Sequence, residues 1–583
     1  MSKAITITSP SGVTLKTKNK YMDDDVAISL SEAENILASN IKKDVSILGV
    51  SGTYEGFIPS GSVTISENGT YNISAFAEAV VSVPGLVPSG TLEISGNGVY
   101  DVGSYASANV NVQGGGVPTA EELLNRTISY YEGSATKIEG YIDPGIRSLA
   151  FQYCNSLSYV RITSIASAGN SRFIVQNNAF QGCSNLRTVN FFELPELYSS
   201  VLKYVTVETQ AFMNCSNLSV LVSNVSQIGQ EAFWRTKVTG LSANVLSDSY
   251  VWEFSVGAGA FFDCASFTEL YIAATRILLN YSAFASTSLS RITNENLSCA
   301  SDGYITVSNS IFANCQQLSY VSLSRLSYLN YIGGAFSTCY ALESVRLEGI
   351  EPVTMISFNA FYGCSNLKSV EIGPMGSQLS IWQQAFYECS KITEVPYMSL
   401  VVSVANSAFL FAGIKSFVNS QTVTFGRNVF GYSGFKYLSV YSIVTANSRW
   451  FQQCWDLSYA NVGTTSALQS AVFSMCSSLK SFLTTHVNRI NNYAFLSCIS
   501  LESVYLLSTA VTNLNNTNAF AFTPIADSTY LGYYGSLYVR ASLLDSYKAA
   551  TNWVRYSDRF VGLADSEMEQ IITDYNNVSY IEE

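Results

Sequence analysis

A motif built on the dipeptide Ala-Phe recurs along this chain. Its phenylalanines run from Phe151 to Phe520 in fifteen steps that average about 25 residues. A unit of that length cannot bury its own apolar face, so successive units must stack as the coils of a solenoid. The complete unit reads A-F-x-x-C-x-x-L-x-x-V-x-L. Ala360 to Ile372 is a clean copy, and Ala335 to Leu347 and Ala494 to Leu506 are others. Its last part alternates apolar and polar residues, as a short strand with one buried face does. The Ala-Phe part precedes that strand on the opposite wall. One coil is therefore expected to hold a strand, a return segment and a short helical or irregular turn.

Eleven of the twelve cysteines stand three residues after a repeat phenylalanine. Five units carry Thr236, Thr287, Ala412, Ser433 or Thr523 there instead, and their next core residue comes one position earlier. The unit thus has a longer turn with Cys and a shorter turn with another small residue. A disulfide framework would not lose partners in this way, and no C-x-x-C pair suggests a metal site. The pattern predicts a column of buried thiols, one per coil, packing as small hydrophobes. Cys299 lies outside the pattern and is the expected reactive thiol.

The A-F-x-x-C-x-x-L-x-x-V pattern resembles the BspA-like, or Treponema-type, leucine-rich repeats over about residues 145–540. The resemblance implies a right-handed leucine-rich-repeat solenoid with strands lining one face. It also implies a binding scaffold without enzymatic activity, in a family made up mostly of surface, adhesion and host-interaction proteins.

A second repeat lies upstream, offset by 29 residues. Pro59-Ser60-Gly61 recurs as Pro88-Ser89-Gly90, and Asn68-Gly69-Thr70-Tyr71 as Asn97-Gly98-Val99-Tyr100. Each copy places alternating strands around Asn-Gly, a hairpin signal. Ahead of them Ser31 caps a short helix that runs towards Lys43. These segments resemble the N-terminal regions of tail-associated proteins of bacteriophages that infect gut bacteria. The chain divides into an N-terminal attachment region (1–57), a first β module (58–86), and a second β module with a Gly114-Gly115-Gly116 hinge (87–116). A capping helix and entry (117–145), the solenoid (146–530), and a C-terminal cap with an acidic tail (531–583) follow. With the resemblance, the expected fold class is a leucine-rich-repeat solenoid of about sixteen short-strand coils, preceded by small all-β modules and a short helix.

Composition narrows the function. Only 13% of residues are charged, and 31 Lys+Arg against 43 Asp+Glu leave a net charge of −12. That balance gives no basic stripe for nucleic acid. No 18-residue apolar run and no leader-like apolar segment occur, so neither membrane insertion nor standard export is expected. His486 is the single histidine, and G-x-S-x-G, P-loop and H-E-x-x-H motifs are missing. The chain reads as non-enzymatic, with no catalytic residue, metal ligand or cofactor. A carboxylate pair cutting glycan stays as an alternative, although no pair of acids stands out.

Binding is better supported. Residues just before and after the strand valine point away from the core. At about 4.8 Å per coil they form two columns along a wall roughly 75 Å long. One column offers Tyr159, Glu269, Arg291, Tyr320, Glu394, Tyr437 and Tyr459; the other offers Arg161, Tyr271, Arg346, Glu371, Asn461 and Tyr505. Tyr159, Arg161, Tyr271, Tyr320, Arg346, Tyr437, Tyr459 and Tyr505 are the candidate binding residues. Tyr supplies stiff contact area and Arg a planar donor fork. The competing reading is a stabilising cross-strand ladder, about 0.2–1 kcal/mol per pair. A neutral Ser/Asn/Tyr surface suits carbohydrate or protein, and not nucleic acid or anionic membrane. The leading expectation is a structural and host-recognition protein of a phage tail tip, baseplate or fibre, located in the virion. Its N-terminal region would join other tail or baseplate proteins, its solenoid would bind a host surface glycan or protein, and it would be a homo-oligomer. A BspA-like adhesin on the bacterial cell surface and a glycan-degrading tail enzyme are the alternatives.

Overall fold

The computed structural model describes residues 145–577 apart from 166–171, 193–203, 247–251 and 396, and before residue 145 only short strands. The chain forms two compact units, 1–119 and 120–583.

In the first unit Ser46–Ile47 and Val50–Ser51 form a small antiparallel pair. The 29-residue repeat is present in the fold, but not as two Asn-Gly hairpins. Ser62–Ile65 pairs in parallel with Glu78–Val81, and Thr91–Ile94 with Ser107–Val110. The middle strands, Thr70–Asn72 and Val99–Asp101, pair antiparallel across the two modules, with Tyr71 opposite Tyr100. Two copies of one sequence offer each other matching strands, and pairing between copies competes with the local turn. The helix after Ser31, the glycine hinge and the capping helix at 118–130 lie outside the described residues.

The second unit is a parallel β-solenoid. Most coils have strand on both walls, where the sequence reading expected one strand per coil. A front strand follows the L-x-x-V-x-L pattern, for example Glu269–Ala274 and Ser503–Leu506. A back strand lies just before Ala-Phe, for example Tyr204–Val207 and Arg276–Leu279. In the middle coils one bent strand runs through both walls, as in Ser344–Ile356 and Ser369–Ile381. The return segment is a strand because its apolar residues also alternate, with Val205 and Val207 or Ile277 and Leu279 turned inward. The front sheet begins at Lys137–Ile142, which pairs with Tyr159–Ile165, ahead of the expected start at 146.

The sixteen repeat phenylalanines are buried and form one unbroken stack. Adjacent ring centroids lie 5.0–6.0 Å apart with planes within 20° of each other. Each stacked pair adds about 0.5–1.5 kcal/mol beyond the burial of its area. The turn segments join a third backbone ladder. The Phe361 N–H donates to the Ala385 carbonyl of the next coil at 2.9 Å, and the Gly363 N–H to that of Tyr387 at 2.8 Å. To aim alternate N–H groups at the next coil, residues two before and two after the phenylalanine take left-handed backbone. Leu149 and Tyr153, Glu231 and Arg235, and Ala471 and Met475 all have φ between +52° and +63°. Few are glycine, so the stacked neighbours impose this conformation.

The column thiols are buried and unbridged, as expected. They also do more than fill space. From Cys183 to Cys498 each column Sγ donates to the carbonyl oxygen of the preceding coil's repeat phenylalanine, at 2.8–3.1 Å. In short-turn coils the hydroxyl of Thr236, Thr287 or Thr523 bonds its own phenylalanine carbonyl at 2.7–2.9 Å. Burial pushes Cys264 and Cys315 up to about 11 and Cys454 up to about 12.

The far end is closed by Ser536–Arg540, helix α1 (Leu544–Ala549), a further strand at Phe560–Leu563, and helix α2 (Asp565–Asn577). Phe520, the last ring of the stack, meets Trp553 at 5.9 Å and Tyr556 at 5.7 Å. Trp553 Nε1 donates to the Thr512 carbonyl at 2.7 Å. Residues 565–577, expected as an acidic tail, are a helix folded back on the front wall.

Candidate functional site on the front wall

The front wall holds its outward side chains in register, one per coil, but the eight candidate residues do not make one strip. Tyr159 and Arg161 stand in the strand Tyr159–Ile165 near the start. Tyr271 lies opposite Ser242 and is 40% exposed. Tyr320 pairs with Arg291 and Ser344. The Arg291 guanidinium lies 4.2 Å from the Tyr320 ring centroid, so one face of that ring is already covered. Arg346 stands beside Glu371 of the next coil, with N and O atoms 3.6 Å apart and both side chains exposed. Asn461, expected outward, is buried; its Oδ1 accepts the Gly463 N–H at 3.0 Å, because the chain turns there.

The C-terminal third of the wall is covered by the protein itself. Tyr437 Oη donates to the Tyr575 carbonyl of α2 at 2.7 Å. Tyr575 Oη is hydrogen-bonded to Ser481 Oγ, and its ring sits edge-on to Tyr505 at 5.9 Å. Met568, Ile571 and Ile572 of α2 pack with Tyr505, Tyr538 and the outward-facing Leu483 and Leu507. Burial pushes the phenols of Tyr437, Tyr505 and Tyr575 up. Tyr459 stays 42% exposed. Tyr437 and Tyr505 therefore serve as the seat of α2. The signal was in the sequence: Met568, Ile571, Ile572 and Tyr575 fall at i, i+3, i+4 and i+7, one apolar helix face.

His486 begins the back strand His486–Ile490 and lies opposite Thr464. Cys299 is the one partly exposed thiol among the described residues. Burial raises its pKa while the Arg325 guanidinium works in the opposite direction, so it is accessible without being activated. Among the described residues no three His, Cys, Asp or Glu side chains gather to hold a metal ion. No helix among them is long and apolar enough to cross a membrane.

The repeat is also that of a known family. The model of the BspA type leucine-rich repeat region matches residues 144–237, 175–301, 248–348, 305–436 and 413–526. No curated protein matches the chain in sequence. Among solved structures, a leucine-rich repeat protein from Bacteroides ovatus is 17% identical, covering 65% of this chain and 91% of its own, with a TM-score of 0.27. A leucine-rich cell surface protein from Faecalibacterium prausnitzii is 18% identical, covering 75% and 86%, with a TM-score of 0.21. The pneumococcal vaccine antigen PcpA is 13% identical, covering 75% and 90%, with a TM-score of 0.33. With its repeat matched across more than half its length, and with that repeat's phenylalanine, cysteine and leucine positions forming the core, this chain belongs to the BspA-type leucine-rich repeat family.

Proposed function

We propose that the protein is a non-enzymatic recognition scaffold of a bacterial cell surface, whose solenoid binds a glycan or a protein. The observation that carries this reading is the open part of the front wall. There Tyr271, Tyr320, Arg291 and Arg346 present rings and guanidinium groups at one residue per coil, on a core that uses its phenylalanines and column thiols for packing. Rigid aromatics and arginines on a fixed sheet bind with little ordering cost. Membership of a repeat family found mostly in surface proteins supports a bacterial adhesin over a phage tail protein. The tail reading rests on the upstream modules and would use the same wall.

Immunolabelling intact cells of the producing organism, alongside purified virions, tests the location. Label on cells is expected, and label on virions alone would overturn it. For the wall, Tyr271→Ser with Tyr320→Ser in the full chain is expected to weaken attachment to target cells without lowering the melting temperature. Unchanged attachment would return both tyrosines to a ladder role. Incubation with target-cell polysaccharide is expected to release no oligosaccharide.

A further inference from the structure

A second row of rings lies on the wall formed by the Ala-Phe turns, away from the front strands. Tyr362 stacks on Tyr387 at 4.8 Å, Tyr387 meets Phe411 at 5.8 Å, Phe411 meets Tyr432 at 4.8 Å, and Tyr432 meets Trp455 at 6.2 Å. Phe411, Tyr432 and Trp455 are 39%, 37% and 52% exposed. Strand propensity does not account for this ridge, because its residues stand in turns.

Two successive coils in the ridge share one motif. Phe409-Leu410-Phe411-Ala412-Gly413-Ile414-Lys415 is followed by Phe430-Gly431-Tyr432-Ser433-Gly434-Phe435-Lys436. Both are short turns, and the coils on either side, with Cys389 and Cys454, have long ones. The glycines let neighbouring coils approach closely: a Cβ on Gly413 would lie 2.3 Å from the Ser390 carbonyl oxygen. A Cβ on Gly434 would lie 2.6 Å from Lys415 Nζ, so that ammonium rests on bare backbone two residues from Tyr432. The Lys436 N–H donates to the Lys415 carbonyl at 2.7 Å, which places the two lysines side by side on adjacent coils. Among the described residues neither makes an ion pair, whereas Lys368 is paired with Glu343 at 2.8 Å and Lys391 donates to Asn366 Oδ1 at 2.6 Å.

We propose that this ridge, centred on Phe411, Tyr432, Lys415 and Lys436, is a second binding site, for an acidic glycan chain. Exposed rings suit the C–H faces of pyranose units, and the two ammonium groups suit their carboxylates or phosphates. The ridge runs along the solenoid axis at one ring per coil, which fits an extended polymer. Its backbone ladder is bonded from coil to coil and leaves no free edge for a peptide strand. Two lysines in a chain of net charge −12 supply too little cation for a polynucleotide. The inference rests on the surface-recognition reading but uses rings of the turn wall, with the two lysines just before the front strands Ser416–Phe425 and Tyr437–Ala446.

The full chain is applied to immobilised galacturonan, alginate, hyaluronan and phosphomannan, with dextran and a thymidine oligonucleotide as controls. Binding to at least one acidic glycan is expected. Lys415→Gln with Lys436→Gln is expected to weaken it about tenfold, as two partly exposed charge contacts together give, and to flatten its salt dependence. Phe411→Asn with Tyr432→Asn, which tolerates the left-handed backbone there, is expected to weaken it comparably. Tyr271→Ser with Tyr320→Ser is expected to leave it unchanged. No binding to any acidic glycan, equal binding to dextran, or tighter binding to the oligonucleotide would overturn the proposal. Loss on the front-wall change alone would also overturn it while leaving the adhesin reading intact.

Discussion

Replacing Phe361 by alanine removes one ring from the middle of the stack. The ring is fully buried and lies 5.6 Å from Phe336 and 5.3 Å from Phe386. Truncation of such a side chain costs about 3–5 kcal/mol. Roughly 1–3 kcal/mol of that is the loss of two stacked pairs. Phe361→Leu keeps most of the volume and loses chiefly the stacking, so it is expected to cost about 1–3 kcal/mol. A solenoid coil contacts only its neighbours, so the loss is expected to stay local. Hydrogen exchange reads this coil by coil. The amides of Phe361 and Gly363, bonded to Ala385 and Tyr387, are expected to exchange about a hundredfold faster or more in the alanine variant. The Phe212 amide, bonded to Ala232 several coils away, is expected to keep its rate. Equal acceleration at Phe212 and Phe361 would refute local coupling. A leucine variant as damaged as the alanine one would refute the weight given to stacking.

Three further outcomes follow from the buried thiols and from α2. Folded-state pKa values above the unfolded value mean that Cys264 and Cys315 stabilise the fold below about pH 9 and lose that contribution as pH rises through about 11. The urea midpoint is therefore expected to fall steeply between pH 9 and 11, and less steeply in Cys264→Thr with Cys315→Thr; a flat profile would contradict the burial. A maleimide is expected to modify Cys299 first in the folded chain and the column thiols only on unfolding, read by mass spectrometry of peptides. Tyr575→Phe, which loses the bond to Ser481, is expected to weaken the seating of α2 by about 1 kcal/mol and to raise proteolysis within 565–577 ahead of the rest of the chain.

What the sequence disclosed depended on whether a residue's neighbours were its own repeats. The stack from Phe151 to Phe520, the thiol column and the short turns at Ala412 and Ser433 follow from one motif, because each copy contacts the same position in the next. The back strands were read as plain return segments because their lengths and residues vary. Left-handed backbone at Glu231 or Met475 was not legible, since neither residue favours it and the inter-coil ladder imposes it. Asn461 and Tyr437 were placed on the wall but not in their true surroundings. One is turned inward by a bend at Gly463, and the other lies under a helix more than a hundred residues later. The acidic residues of 565–577 drew attention from Met568, Ile571, Ile572 and Tyr575.

The direction of the hydrogen bonds has a mechanical consequence. In all three ladders they point from one coil to the next, along the long axis, so a pull along that axis loads them a coil at a time and not in shear. A tethered molecule of this kind yields in small steps. Each step pays out the contour of one coil, about 80 Å for 25 residues of extended chain, while the remaining coils hold. At the C-terminal end Trp553 and Tyr556 pack on the last ring of the stack and α2 on the last front strands, so more contacts must break there for a coil to open. A solenoid loaded in this way would lengthen in steps and spread a sudden load over many coils.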